Sequence, residues 1–269
     1  MDLGTVLGLV FAGLVITVVM VLDGGSPMEL FAHPQTILLT LGGSIIAASI
    51  SASLSTLRTL PKLIMQAVRG SEHKPEEAIE ILVKMADKAR REGLLALENE
   101  TQAVNDPFLS KGITLVVDGV DPAEVRKILE IEMEHTRERH TKGISLLTAA
   151  GGYAPTFGII GTVMGLITVL QQLDEPGKLG KAIASAFLAT LWGLLSANLI
   201  WLPLAGKLKT KSEDEMAYRK LLITGILGLQ AGENPRLIKD KLNAFLPPKT
   251  RETEGEETGV KKAQVEAEA

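Results

Sequence analysis

Residues that could do chemistry are few and scattered in this 269-residue chain. Cysteine is absent, which excludes disulfide scaffolds, thiol catalysis and Cys-ligated zinc. The histidines His33, His73, His135 and His140 give no HExxH or comparable ligand spacing. His135 and His140 sit in a charged segment and read as solvated. Neither a Walker loop nor a GxGxxG turn occurs. With no catalytic constellation in view, the chain reads as a non-enzyme without metal or cofactor. What remains is a pair of hydroxyls in apolar surroundings, Thr162 and Thr190. Thr162 lies nine residues before Gln171 and Thr190 eight after Ala182. At 1.5 Å per helical residue that is about 14 and about 12 Å from one common edge. Two hydroxyls at one level could solvate a passing cation; equally, each could bond its own helix carbonyl.

The elements that must position them are membrane spans. Hydrophobic residues make up 46% and charged residues 22%, with a mean hydropathy of +0.22. Leu3–Leu22, Pro34–Leu57, Gly143–Leu173 and Ala182–Gly206 contain no Asp, Glu, Lys, Arg or His. Each is long enough for a helix to cross about 30 Å of hydrocarbon. The first run follows Asp2 instead of a basic segment and has no small-x-small cleavage site, so it reads as a retained helix. The predicted fold class is all-α: a polytopic membrane protein with four transmembrane helices and a helical cytoplasmic domain.

Of 28 Lys and Arg, fourteen lie in Arg58–Lys142 and twelve from Lys207 onward. Those two regions and both termini are therefore expected on the cytoplasmic side. The predicted organisation is helices 1 and 2 in 1–57, a cytoplasmic domain in 58–142, helices 3 and 4 in 143–206, cytoplasmic helices in 207–249 and an acidic, disordered tail in 250–269. The net charge of −4 and pI near 5.7 argue against nucleic acid.

Within the cytoplasmic regions, Pro75-Glu76-Glu77 opens a helix burying Ile79, Leu82, Val83 and Ala86. Asp121-Pro122-Ala123-Glu124 reads as an N-cap with a capping-box Glu. It leads an apolar stripe of Val125, Ile128, Leu129 and Met133. Nothing breaks that helix before Gly143, so span three is expected to continue as one long helix. Asn234-Pro235 starts a short helix predicted to bury Leu237, Ile238 and Leu242.

Small residues recur every four positions: Gly4, Gly8, Ala12; Gly43, Ala47, Ser51, Ser55; Ser185, Ala189, Gly193, Ala197; and Gly161 with Gly165. Such ridges let helices approach closely in lipid, and four of them point to an oligomer. Pro155 and Pro203, near the inner ends of spans three and four, suggest a hinge, although Pro203 could simply end its helix. No ionisable residue lies inside any span. A protein that moves protons holds titratable groups there despite a cost of about 2.5–3.5 kcal/mol each, so a partner would have to supply one.

Tyr153-Ala154-Pro155-Thr156-Phe157-Gly158-Ile159-Ile160-Gly161-Thr162-Val163-Met164-Gly165-Leu166 resembles the span-three signature of the MotA family of flagellar stator subunits. Phe187-Leu188-Ala189-Thr190-Leu191-Trp192-Gly193 is similar to its span-four signature. Arg90-Arg91-Glu92-Gly93-Leu94-Leu95-Ala96-Leu97-Glu98 resembles its rotor-facing segment, and Gly232-Glu233-Asn234-Pro235-Arg236 its tail. The similarity covers roughly residues 1–247.

The resemblance implies five copies around two of MotB, whose single span carries an ion-binding Asp. Ion flow would turn the ring of subunits and drive the rotor protein FliG, in a bacterial inner membrane. It assigns Arg90 and Glu98 to rotor contact, Pro155 and Pro203 to coupling, and Thr190, Ala189 and Thr162 to the ion path. Arg90 and Glu98 are expected about 12 Å apart along one helix face. Sodium-driven relatives have a Thr-Thr pair where this chain has Ala189-Thr190, so protons are favoured; Thr162 keeps sodium open. Subunits of the ExbB/TolQ kind, which move an outer-membrane partner, are the alternative, though they usually carry one span before the cytoplasmic domain.

Overall fold

A computed structural model of the chain describes residues 3–50, 52–69, 74–101, 104–174 and 176–247. The described residues form helices joined by turns, with no strand among them. His73, Ser51 and the acidic tail at 250–269 lie outside the described residues. The chain divides into two units, residues 1–71 with 138–212 and residues 72–137 with 213–269. Two long helical stretches, Pro122–Gln171 and Leu179–Gln230, contribute to both, and each is long and apolar enough to cross a membrane.

The first unit starts with α1 (Leu3–Leu22), which ends where Gly24 takes a positive φ of 79°. There the Gly25 N–H donates to the Met20 carbonyl at 2.9 Å, closing the helix end. A 3₁₀ turn, Pro27–Phe31, follows. Next comes α2 (Pro34–Ile50), with Pro34 in its first turn and a π-helical stretch at Leu38–Gly42. The helix stops at Ile50, short of the span expected to reach Leu57. Ser53 explains the break: its Oγ accepts the Thr56 N–H at 3.3 Å and starts α3 (Leu54–Arg58). The amphipathic α4 (Leu60–Val68) follows.

Later in the chain, α8 (Pro122–Gln171) and α9 (Pro176–Leu195) contribute the remaining wall. A π-helical stretch, Ser196–Trp201, joins α9 without interruption to α10 (Leu202–Gln230). The core of this unit gathers Ala48, Ala67, Leu147, Ala150, Ala154, Ala197 and Trp201. Small residues dominate it, so the helices are held by close approach instead of large interdigitating side chains.

Three of the four ridges enter this packing, the Phe157 ring of α8 closing on Gly43 of α2. A Cβ added at Gly158 would lie 2.9 Å from the Ala189 carbonyl oxygen, and one at Gly193 would lie 2.8 Å from the Ala154 carbonyl. Gly165 meets Ala186 in the same way, at 2.7 Å. The ridges of spans three and four therefore serve contact within the chain and say nothing about an oligomer.

The second unit is built on α5 (Pro75–Glu92), α6 (Glu98–Thr101), α7 (Pro107–Val117) and α11 (Pro235–Asn243), with parts of α8 and α10. Its core has larger side chains: Ile79, Leu82, Leu109, Ile113, Leu129, Leu222, Ile226, Ile238 and Leu242 are almost fully buried. As expected, Asp121 caps α8, its Oδ1 accepting the Ala123 N–H at 2.9 Å, and the helix runs unbroken to Gln171. Asp106 does more than cap α7. Its Oδ1 accepts the Phe108 and Leu109 N–H groups, and its Oδ2 accepts the Tyr218 hydroxyl at 2.9 Å. Burial, with the Asp106 carboxylate beside it, pushes the Tyr218 phenol far above its ordinary range, so it stays a donor. One expectation fails in α11: Leu237 is 47% exposed, while Ile238 and Leu242 are buried. A nine-residue helix with one face on the core has room for only part of its apolar set.

Gly193→Val should destabilise the first unit, because the new side chain meets backbone that cannot retreat; overpacking of this kind costs about 1–3 kcal/mol. Gly13→Val is the control, since a Cβ there meets nothing within 4 Å. Thermal unfolding in detergent should drop for Gly193→Val alone; equal melting would show that the seam tolerates expansion.

Candidate functional site

Thr162 and Thr190 are brought together by the glycine seam. Gly158 lies one turn before Thr162 on α8 and Gly161 directly before it, and Ala189 and Gly193 flank Thr190 on α9. With only the small Ala189 methyl beside them in the seam, Thr162 Oγ1 meets Thr190 Oγ1 directly. It also lies 3.1 Å from the Gly158 carbonyl of its own helix and 3.0 Å from the Ala186 carbonyl across the seam. The two hydroxyls meet at one level, and Thr162 also reaches a carbonyl of its own helix.

The proton count of this cluster is small. Two hydroxyls supply two donors, against two carbonyls and two hydroxyl oxygens as acceptors. Thr190 can donate to Thr162 while Thr162 donates to one carbonyl; in the reverse arrangement Thr162 donates to Thr190 and to neither carbonyl. Oxygens are thus in excess, and the cluster can pass a proton or offer oxygens to a cation. Holding a charge is beyond it, because no carboxylate, Lys, Arg or His belongs to it. Both Thr side chains are half-buried.

Ala189 does not join this cluster. It is 1% exposed, and a Cβ added at Gly161 would come within 2.7 Å of the Ala189 methyl. The methyl fills the helix seam, so a larger residue there would wedge α8 from α9. Ala189 sets the spacing of the helices beside the hydroxyls.

Pro155 lies inside α8 without ending it. It has no N–H for the Gly151 carbonyl, four residues back. Pro203 likewise does not end its helix, which continues to Gln230. The adjustment is the π-helical stretch just before it, where the Leu202 N–H reaches back five residues to the Ala197 carbonyl. Widening the turn gives the proline ring room at the preceding carbonyls. Termination, one of the two readings of Pro203, is thereby excluded.

Arg90 and Glu98 are both exposed, but they do not share a helix. α5 stops at Glu92, and Gly93 adopts φ 87°, ψ 164°, a conformation close to glycine-only. A 3₁₀ turn, Leu94–Leu97, follows, with Leu97 buried as its anchor. Glu98 then opens α6. The expected 12 Å separation along one helix is corrected by this break. The Arg-Arg-Glu-Gly run carries the signal, since basic residues followed by glycine mark a helix end.

Lys88 pairs with Glu100 at 2.6 Å and ties α6 to α5. The hydrogen bond to Glu100 holds the Lys88 pKa above its ordinary value. Arg91 pairs with Asp87. Sequence reasoning passed over Lys88–Glu100 because a pairing twelve residues apart needs the turn at Gly93. It also missed Trp192, whose Nε1–H donates to the Leu30 carbonyl at 2.8 Å while its ring meets Phe31 edge-on.

Residues 100–220 match the MotA/TolQ/ExbB proton channel family. Motility protein A of Bacillus subtilis (strain 168) is 38% identical over 252 residues, 93% of this chain and 93% of that protein. The MotAB structure from C. jejuni is similar with a TM-score of 0.88 and 32% identity, covering 92% of this chain and 97% of that one. The flagellar MotAB stator complex of Bacillus subtilis gives a TM-score of 0.86 at 37% identity, with the same coverage. The chain therefore belongs to the motility protein A branch of the MotA/TolQ/ExbB proton channel family.

Gly93→Ala should lower stability by about 1–3 kcal/mol, the cost of forcing a side chain into that backbone region. Denaturant unfolding followed by circular dichroism would read it. An unchanged midpoint would mean that the Arg90–Glu98 turn can take another conformation freely.

Proposed function

We propose that this chain is the MotA-type subunit of a flagellar motor stator, whose half of the ion path is the Thr162–Thr190 cluster. One observation carries the mechanism: oxygens converge at one level between two long apolar helices that contain no ionisable group there. Such a site can line a path but cannot hold the charge in transit. The missing carboxylate belongs to a MotB-type partner, a reading supported by the MotAB structures that this chain resembles.

In this reading α1, α2 and the apolar parts of α8, α9 and α10 form four spans of the inner membrane. Both termini and the charged helices lie in the cytoplasm, as the distribution of Lys and Arg requires. The exposed apolar side chains of α1 and α8, among them Phe11, Leu14, Val18, Ile159 and Val163, would face lipid or neighbouring subunits. Five copies surround two MotB chains, and ion flow turns the ring against FliG. Each charge crossing supplies about 2.3 kcal/mol per 100 mV.

Pro155 and Pro203 give the ion-lining helices their bending points. Each removes one backbone hydrogen bond, so bending there breaks none that a regular helix would have. Arg90 and Glu98 present opposite charges on either side of the Gly93 turn. Rotor charges would be steered by them over roughly a Debye length, about 8 Å at physiological salt.

Protons are the favoured ion. A sodium shell needs several oxygens, and Ala189 fills the seam where sodium-driven relatives add a hydroxyl. A stator-deleted motile strain carrying this chain with its partner should swim in sodium-free medium. Thr190→Val should cut that speed while leaving membrane levels intact. Swimming only with sodium would reassign the ion, and full speed for Thr190→Val would remove the hydroxyls from the path.

Arg90→Glu should reduce torque under viscous load more than free swimming, with normal membrane insertion. Unchanged torque at every load would sink the rotor-contact role.

A further inference from the structure

Arg90 and Glu98 are exposed, so their direction must be set from behind. Lys88 stands two residues before the first and Glu100 two after the second, and both are half-buried. Lys88 Nζ donates to Glu100 Oε1 at 2.6 Å, across twelve residues of chain. This bond closes a loop that contains Arg90, the Gly93 turn and Glu98. Glu92, one turn on from Lys88 in α5, attracts the same ammonium. The hydrogen bond nevertheless goes across the turn, to a different helix.

Other ion pairs of α5 are of another kind. Lys84–Glu80 and Arg91–Asp87 join residues one turn apart on a single helix, with every side chain more than half exposed. Such pairs contribute little. The side chains of Lys88 and Glu100 are 30% and 42% exposed, and they join two elements. The second of these, α6, is four residues long, and a single helical turn is not stable alone. Gly93 is no brace for it, because glycine restricts its backbone least. Leu97, buried just before Glu98, is one anchor. Glu100 is a second, on the far side of Glu98. Two anchors that bracket Glu98 set the direction in which its carboxylate faces.

We propose that Lys88 and Glu100 are positioning residues for rotor contact: their ion pair holds Glu98 at a fixed direction and distance from Arg90. The proposal rests on the rotor-contact reading of Arg90 and Glu98 given above. Lys88 and Glu100 act through the turn that they close and not on the rotor itself. Opposite charges select and steer a partner when their arrangement is fixed beforehand. A swivelling Glu98 would spread its charge over many orientations and lose that match.

The test uses the full complex with its MotB-type partner. The chain has no cysteine, so Arg90→Cys with Glu98→Cys takes two nitroxide labels, the labelled chain being diluted with unlabelled chain. Pulsed electron paramagnetic resonance on the purified complex reads the distance between them. The distribution should be narrow with Lys88 and Glu100 in place and should broaden in Lys88→Glu. Torque under viscous load is read in a stator-deleted strain carrying the unlabelled chain. Lys88→Glu and Glu100→Lys should each lose torque at normal membrane levels. The double exchange, which re-forms the pair, should recover it, and Lys88→Arg should keep it. Lys84→Glu, which removes an exposed pair of the same helix, should behave as wild type.

An unchanged distance distribution in Lys88→Glu overturns the positioning role. So does a double exchange that fails to recover torque. Torque that falls only in step with membrane level and unfolding midpoint overturns it too, as the mark of a merely structural pair. Arg90→Glu tells failure of the rotor reading apart. If it keeps full torque while Lys88→Glu broadens the distances, the pair holds the turn but the turn meets no rotor, and both readings fall.

Discussion

Backbone contact between α8 and α9 is the constraint on which the site depends. At Gly158 and Gly193 the two helices touch main chain to main chain, with no room for a Cβ on either side. This approach costs the packing energy of missing side chains, yet it is what lets a threonine reach across. Thr162 Oγ1 lies 3.0 Å from the Ala186 carbonyl because only glycines and alanine methyls line the seam. Widening the seam by a methyl layer would leave each hydroxyl bonded to its own helix, the bland state that threonine adopts in most helices. Position, and not residue type alone, makes these two hydroxyls a cluster.

The long helices carry two defects that are tolerated for different reasons. Pro155 lies beside Ala154, which is fully buried, and the helix absorbs the lost hydrogen bond without changing its winding class. Pro203 is preceded by six residues of π-helix, Ser196–Trp201, so its strain is spread over more than a turn. A similar π stretch at Leu38–Gly42 occurs in α2, where the buried Thr36, Thr40 and Ser44 bond carbonyls of their own helix or its entry turn. Hydroxyls that satisfy backbone groups locally let a helix deviate without exposing unpaired carbonyls to an apolar medium. Irregular winding therefore clusters in the apolar helices, while α5 and α7, with conventional cores, stay regular.

Much of this was legible in the sequence. Charge-free runs located the apolar helices, Asp121-Pro122 located the start of α8, and the absence of a breaker before Gly143 forecast its unbroken length. Thr162 and Thr190 could be placed at one level by counting rise per residue. Three things could not be read. Whether a small-residue ridge is spent inside the chain or left open depends on which helix faces it, and a four-residue period is silent on that. The stop at Ile50 depends on a serine cap inside a run that hydropathy treats as uniform. The separation of Arg90 from Glu98 hinges on Gly93, whose positive φ turns the chain between them. The last two misses come from a local backbone choice that overrides a helical period.

The two units differ in the kind of cohesion they have, and this bears on what each can do. Around Ile79, Leu82, Leu222 and Ile226 the core is made of large side chains with fixed rotamers, the arrangement that transmits force with little give. Asp106 adds a polar rivet by joining the start of α7 to Tyr218 of α10. The other unit is held by alanines, glycines and backbone contact, which gives helices shallow surfaces that can slide by small steps. α8 and α10 are continuous helices that each contribute residues to both units. Proline has no N–H, so the hydrogen-bond ladder of each is incomplete at Pro155 or Pro203.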